Sequence, residues 1–215
     1  ILEVVTKRTK IVFLANPNNP TGTYIARDEL ARLRAGLPDN VLLALDCAYA
    51  EYAVRDDYDA GMDYVDDGAG NTLVIRTFSK IYGLAAARVG WAYCPPAIAD
   101  VLHRVRGVFN VGGISQAIAA AAVRDQDFAA DVRRKNRVEL EKVSAALTAL
   151  GLDVLPSQGN FVLARFPGGG AAAASAAASA AERLAANGVF VRPVVDYGLN
   201  DALRISIGAA EENEL

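Results

Sequence analysis

Histidine occurs once in the 215 residues, at His103, and cysteine twice, at Cys47 and Cys94. A zinc site needs several histidine or cysteine ligands at close spacing, so no metal centre is expected. Two unrelated cysteines do not make a disulfide framework either. They are expected to be core thiols of a protein in a reducing compartment, the cytoplasm. Positive charge is also short: the formal net charge is -3. That argues against a phosphate-backbone binder, which needs a basic face, and no nucleic-acid partner is expected. No apolar run is long enough to span a bilayer, because the longest are broken by Asp46 or consist of alanine; no membrane partner is expected. A leading methionine is missing too. The chain starts at Ile1 in "ILEVV" and stops in "GAAEENEL", which reads as a first helical turn. Both ends are expected to be cuts through a longer protein.

What is present is enough apolar material for a core. The chain is 53% hydrophobic and 22% charged, which excludes disorder and allows one large domain or two smaller ones. Three short apolar runs stand out: Ile11–Ala15 before "NPNNPTG", Val41–Asp46, and Thr72–Lys80. Runs this short and continuous suit strands buried on both faces. "RDELARLRAG" lies between the first two and has a helical pattern stopped by Gly36 and Pro38. The alternation predicts a mostly parallel sheet with helices on both faces, an α/β fold. "RVGWAYC" follows the third run too closely for a crossover helix, so it is expected to pair antiparallel.

Helices are expected at Ala97–Val105, at Ile114–Val123 and, as a long one, at Phe128–Leu150, with Asp127 as N-cap and Gly151 as stop. "GNFVLARF", "VFVRPV" and "ALRISIG" read as strands, and the alanine-rich "GGGAAAASAAASAAERLAANG" reads as a plain surface helix. Composition and pattern place a larger unit at residues 1–127 and a smaller α+β domain at residues 128–215. Tyr52, Tyr82 and Trp91 are expected to be packing residues, and His103 a helix-surface residue.

The first three strands each end at or near polar groups: Asn19, Asp46, and Ser79 with Lys80. Ligands of an open parallel sheet bind beyond the carboxyl ends of its strands. A lysine amine reacts with an aldehyde, and an acid can keep a ring nitrogen protonated; pyridoxal phosphate needs both. Asn19 and Tyr49 are candidates for the cofactor's phenolic oxygen. Ser79 and Arg88, in "TFSKIYGLAAARVG", are candidates for its phosphate.

Taken together, "NPNNPTG", "DCAYAEY", "TFSKIYGLAAARVG" and "ALRISIG" resemble the signature set of the fold-type I, class I/II aminotransferases, most closely the histidinol-phosphate branch. The resemblance covers nearly the whole chain in order and spacing. It implies that Lys80 carries pyridoxal 5'-phosphate and that Asp46 pairs its ring nitrogen. Asn19 and Tyr49 would bind the ring oxygen, and Ser79 and Arg88 the phosphate. Arg204 would grip the substrate carboxylate, with Arg192 near the same pocket. It also implies small-molecule amine and keto-acid substrates, and a homodimer. Members of the family are longer at the N-terminus, where a phosphate-binding loop and a tyrosine that reaches the partner subunit lie. The alternatives are an aromatic amino-acid aminotransferase, a related decarboxylase, or a non-catalytic binding or dimerisation module.

Overall fold

The computed structural model describes residues 1–66 and 71–214, and its chain divides into two compact units. One comprises Ile1–Pro17 and Tyr24–Ala130; the other comprises Asn18–Thr23 and Asp131–Leu215. No helix among the described residues is long and apolar enough to cross a membrane.

The first unit is built on a four-stranded sheet in the order β1 (Ile11–Ala15), β2 (Leu42–Asp46), β3 (Thr72–Thr77), β4 (Gly90–Tyr93). β1, β2 and β3 are parallel, and β4 runs antiparallel to β3, as its short connection requires. Helix α1 (Arg27–Gly36) links β1 to β2. Its start has no serine or threonine cap; Glu29 reaches back instead, and its carboxylate accepts from the Ala26 N–H at 3.0 Å. Leu30, Leu33 and Leu37 come from this helix and its C-terminal cap. They pack with Val41, Leu43, Leu45 and Val74 into one buried cluster. Short helix α2 (Asp63–Asp66) precedes β3, and α3 (Pro96–Val105) and α4 (Gly113–Ala122) follow β4.

Helix α5 (Gln126–Ala149) runs across the division between the units. In the second unit an antiparallel sheet has the order β5 (Asp153–Val154), β6 (Phe161–Arg165), β8 (Leu199–Ser206), β7 (Arg192–Val194). Helix α6 (Gly170–Ala186) connects β6 to β7, and α7 (Ala210–Asn213) follows β8. The helical turn expected in "GAAEENEL" is therefore present, and Leu215 lies outside the described residues.

Four expectations need correction. β1 is not buried on both faces, since Phe13 is 73% exposed. Its place at the end of the strand order explains this: a strand next to one neighbour only is covered least. The cap of α5 is Asp125, whose carboxylate accepts from the Phe128 N–H at 3.0 Å; Asp127 lies one residue inside the helix, where its charge still favours the N-terminal dipole. Helix α6 is no plain surface helix, because Ala173 and Ala177 are each 1% exposed. Their lack of side-chain bulk lets the helix lie close against the sheet. Trp91 on edge strand β4 is 40% exposed and stacks on a charged group rather than filling a core.

The segment Asn18–Thr23 is held within the second unit by a close backbone approach. The Gln158 N–H donates to the Gly22 carbonyl at 2.8 Å. Gly22 has φ +75°, and a Cβ there would stand 2.6 Å from Ser157 Cβ. Only glycine satisfies both constraints. Gly22→Ala is expected to destabilise the protein by about 1–3 kcal/mol, the range for overpacking; thermal or denaturant unfolding checks it.

Cys47 is fully buried, donates to the Ala60 carbonyl at 3.5 Å, and burial pushes its thiol up to about 12. At pH 8 it stays protonated and shielded. Alkylation under native conditions should leave Cys47 unmodified, and labelling should appear only on unfolding. Peptide mass spectrometry after iodoacetamide treatment reads this directly.

Candidate active site

Parallel pairing puts the carboxyl ends of β1, β2 and β3 on one edge. Ala15 lies opposite Asp46, and Asp46 opposite Ile75. Beyond that level the chain stays tied for one more step on each side. The Asn16 N–H donates to the Asp46 carbonyl at 2.9 Å, and the Cys47 N–H to the Ile75 carbonyl at 2.9 Å. Asn16 itself is buried: its side chain bonds Ile25 in both directions and the Asp59 carbonyl, so it shapes the exit from β1.

Asp46 closes β2 with an exposed carboxylate. One oxygen accepts from the Ala48 N–H at 3.1 Å, which turns the chain sharply toward Tyr49. Tyr49 is 5% exposed and caps a 3-10 turn over Ala50–Tyr52. Past the end of β3, the Ser79 N–H donates to the Thr77 hydroxyl at 3.0 Å, which folds the chain back so that Lys80 follows directly. The result brings two candidates together: Lys80 Nζ lies 5.2 Å from the centre of the Tyr49 ring. No ion pair holds Lys80 among the described residues.

Arg88 stands at φ +50°, the left-handed region that a non-glycine residue seldom occupies. It is exposed and donates from Nη1 to the Ala85 carbonyl at 2.8 Å. Its side chain is thus turned back on its own loop.

The other candidates belong to the second unit. Arg204 on β8 donates from Nη1 to Asn19 Oδ1 at 2.7 Å, and its guanidinium carbon is 5.0 Å from the Phe161 ring centre. Arg204 Nε is buried and has no hydrogen-bond partner among the described residues. A buried, unpaired guanidinium N–H is costly unless an anion meets it. Arg192 is directly opposite Arg204 across β7 and β8. Opposed residues of an antiparallel pair share a face, so the two arginines stand side by side, Arg192 exposed. Two adjacent guanidinium groups repel each other unless an anion lies near.

Three residues beside the candidates carry no assignment from the sequence. Glu51 and Arg76 form a 2.7 Å ion pair, with side chains 13% and 16% exposed respectively. A charged residue inside the apolar run "TLVIRTF" was the available signal. Phe161, the platform under Arg204, carried no such mark and reads as an ordinary strand residue. Tyr52 is buried, and burial pushes its phenol up to about 12; Tyr82 packs on Phe78 at 5.0 Å. His103 lies on the exposed last turn of α3, where its Nδ1 accepts from Arg106 Nε at 2.9 Å. No cluster of metal-ligating side chains occurs among the described residues.

Similarity to known proteins covers the whole chain. The chain is 49% identical, over all of its length and 58% of the relative's, to the histidinol-phosphate aminotransferase of Paramagnetospirillum magneticum. It is 48% identical to that of Rhodospirillum centenum, again over all of this chain and 58% of the other. The chain therefore spans less than two thirds of the length of these curated relatives. The crystal structure of histidinol-phosphate aminotransferase from Sinorhizobium meliloti, in complex with pyridoxal-5'-phosphate, superposes with a TM-score of 0.85 at 35% identity. The match covers 95% of this chain and 55% of that one. The model of the family described as "Aminotransferase class I and II" matches residues 1–215. With the mixed α/β sheet and the lysine at its carboxyl edge in place, the chain belongs to the class I and II aminotransferases.

Proposed function

We propose that the protein containing this chain is a pyridoxal-phosphate-dependent aminotransferase. It converts histidinol phosphate and 2-oxoglutarate to imidazole acetol phosphate and glutamate, a step of histidine biosynthesis. One observation carries the reaction class: Lys80 and Tyr49, from the exits of two adjacent parallel strands, meet 5.2 Å apart at the sheet edge that Asp46 closes. The substrate class rests on the names of the relatives that match along the entire chain.

The residues present fit the cofactor. They supply an amine, a carboxylate, a phenol and a hydroxyl at one strand edge. Lys80 would hold the cofactor covalently, Asp46 its ring nitrogen, and Asn19 and Tyr49 its phenolic oxygen. Ser79 and Arg88 would hold its phosphate. When bound, pyridoxal phosphate supplies an aldehyde for the substrate amine and a ring that takes up the electron pair left at the substrate Cα. Asp46 would serve that ring as the hydrogen-bond partner of its nitrogen. Freed when the substrate amine takes its place, Lys80 Nζ would take the proton from the substrate Cα as general base and deliver it, as general acid, to the carbon that had been the cofactor's aldehyde. Tyr49, buried beneath the amine, orients it. Arg204 binds the substrate anion with its planar fork, and a guanidinium accepts phosphate or carboxylate with the same geometry. Its unpartnered Nε supports that role, and Arg192 adds a second positive charge beside it.

In the whole protein, residues 1–127 are read as the C-terminal part of the large cofactor domain, its sheet covered by helices on both faces. Residues 128–215 are read as an incomplete small domain. A cytoplasmic homodimer completes the reading. The exposed apolar side chains Val105, Val108, Phe109 and Ile114 around the α3–α4 connection support a covered surface there.

Borohydride treatment of the cofactor-loaded protein should fix the cofactor on the peptide that contains Ser79 and Lys80, and Lys80→Ala should abolish transamination. A label on another lysine overturns the assignment. Arg204→Lys keeps the charge but loses the fork. It should cost about 2–4 kcal/mol of transition-state stabilisation in both half-reactions, the range for breaking a desolvated charge pair. Single-turnover kinetics with histidinol phosphate and with glutamate measure the two separately. Loss confined to glutamate would move the phosphate to Arg192.

A further inference from the structure

Glu51 and Arg76 have no role in the reaction as read above, yet they are the most enclosed ion pair among the described residues. Burying two charges costs several kcal/mol per ion before their attraction is counted. The pair therefore has to be explained by what its geometry fixes. Arg76 is the penultimate residue of β3, four positions before Lys80. Glu51 lies in the 3-10 turn that Tyr49 caps, five positions after Asp46. Backbone pairing between the exits of β2 and β3 ends at the Cys47–Ile75 hydrogen bond. Past that bond, the 2.7 Å contact from Arg76 Nη2 to Glu51 Oε1 joins the two exits again.

Two more observations show that Arg76 is fixed rather than merely neutralised. Its guanidinium carbon lies 5.5 Å from the centre of the Trp91 ring, the residue opposite it on β4. Its Nε is buried without a hydrogen-bond partner among the described residues. The aromatic face holds one side of the guanidinium, and Glu51 is its sole ion-pair partner among the described residues. Arg76 thus acts as a peg on a sheet strand, and the Tyr49–Glu51 segment hangs on it.

The geometry points to Glu51 and Arg76 as positioning residues: their ion pair sets the Tyr49 ring beneath the Lys80 amine by clamping the turn after β2 to the end of β3. The inference rests on the functional reading for its consequence in catalysis, but not for its geometry. In the protein without cofactor, Lys80 sits over an aromatic ring, and the ring current displaces the resonances of groups above its face. After reductive 13C-methylation, the Lys80 methyl signal should lie upfield of the other lysines, and Tyr49→Leu should abolish the displacement.

Glu51→Gln is nearly isosteric and keeps a hydrogen bond to Arg76 without the charge. It should move the Lys80 signal toward the bulk lysine position, and Arg76→Lys should do the same. In the cofactor-loaded protein, Glu51→Gln should lower kcat by about tenfold to a hundredfold, as expected when a reacting group is misplaced by about 1 Å. KM for both substrates should change little. The loss should shrink in a Tyr49→Leu background, because the pair acts through the Tyr49 ring. A Lys80 signal that stays in place in Glu51→Gln while the melting temperature falls would overturn the inference and leave the pair a stabilising contact only. Full additivity with Tyr49→Leu, in both the Lys80 signal and kcat, would overturn it as well. If the unaltered protein takes up no pyridoxal phosphate, the functional reading fails, and the methyl signal alone decides the positioning role.

Discussion

The in-register parallel pairing of β1, β2 and β3 is the constraint on which the rest of the first unit depends. Parallel strands must be joined by crossovers, so each strand leaves the sheet at the same edge as its neighbour. With Ala15, Asp46 and Ile75 level across the sheet, the residues that follow each of them start from one line. A shift of one strand by a single residue would exchange the faces that Leu45 and Asp46 occupy. The burial of Leu43, Ala44 and Leu45, each at 0% exposure, makes that shift prohibitive, because no polar side chain could replace them in the core. The core thus holds the three strand ends level.

The two strand exits solve different problems with short-range bonds. After β2 the Asp46 carboxylate turns the chain by accepting from Ala48 N–H, which puts Tyr49 inward. After β3 the Thr77 hydroxyl receives the Ser79 N–H, which puts Lys80 over that ring. Side chains near a strand end compete with sheet hydrogen bonding and so end the strand where they occur. A residue used to stop a strand is also a residue left at the edge, which is where a ligand of such a sheet sits.

In the second unit the two faces of the sheet divide the work. Ala164, Leu203 and Ile205 line an apolar cavity with Ala180 and Leu184 of α6. Leu163 and Ala202, which alternate with them, share the other face with Arg204 and Phe161. Alternation along β8 therefore delivers an arginine to the rim of a packed face, supported by an aromatic ring and joined to Asn19. The turn that carries Asn19 groups with this unit because Gly22 lets its backbone lie against Ser157 and Gln158.

The sequence by itself determined the element types, most of their bounds and the direction of β4. Local causes were enough for these: an amphipathic run with a glycine stop gave α1 at Arg27–Gly36, and a link too short for a crossover made β4 antiparallel. The motifs also identified the amine, acid, phenol and arginine candidates by type and order. Tertiary structure alone decided what each of them touches. The exposure of Phe13 and Trp91 follows from edge positions in a strand order that no local pattern encodes. Ala173 and Ala177 became buried because a sheet face lay within reach. Glu51 and Arg76 are 25 residues apart. Their pairing depends on two strands coming into register, and interactions between distant residues are fixed by packing, not by spacing along the chain.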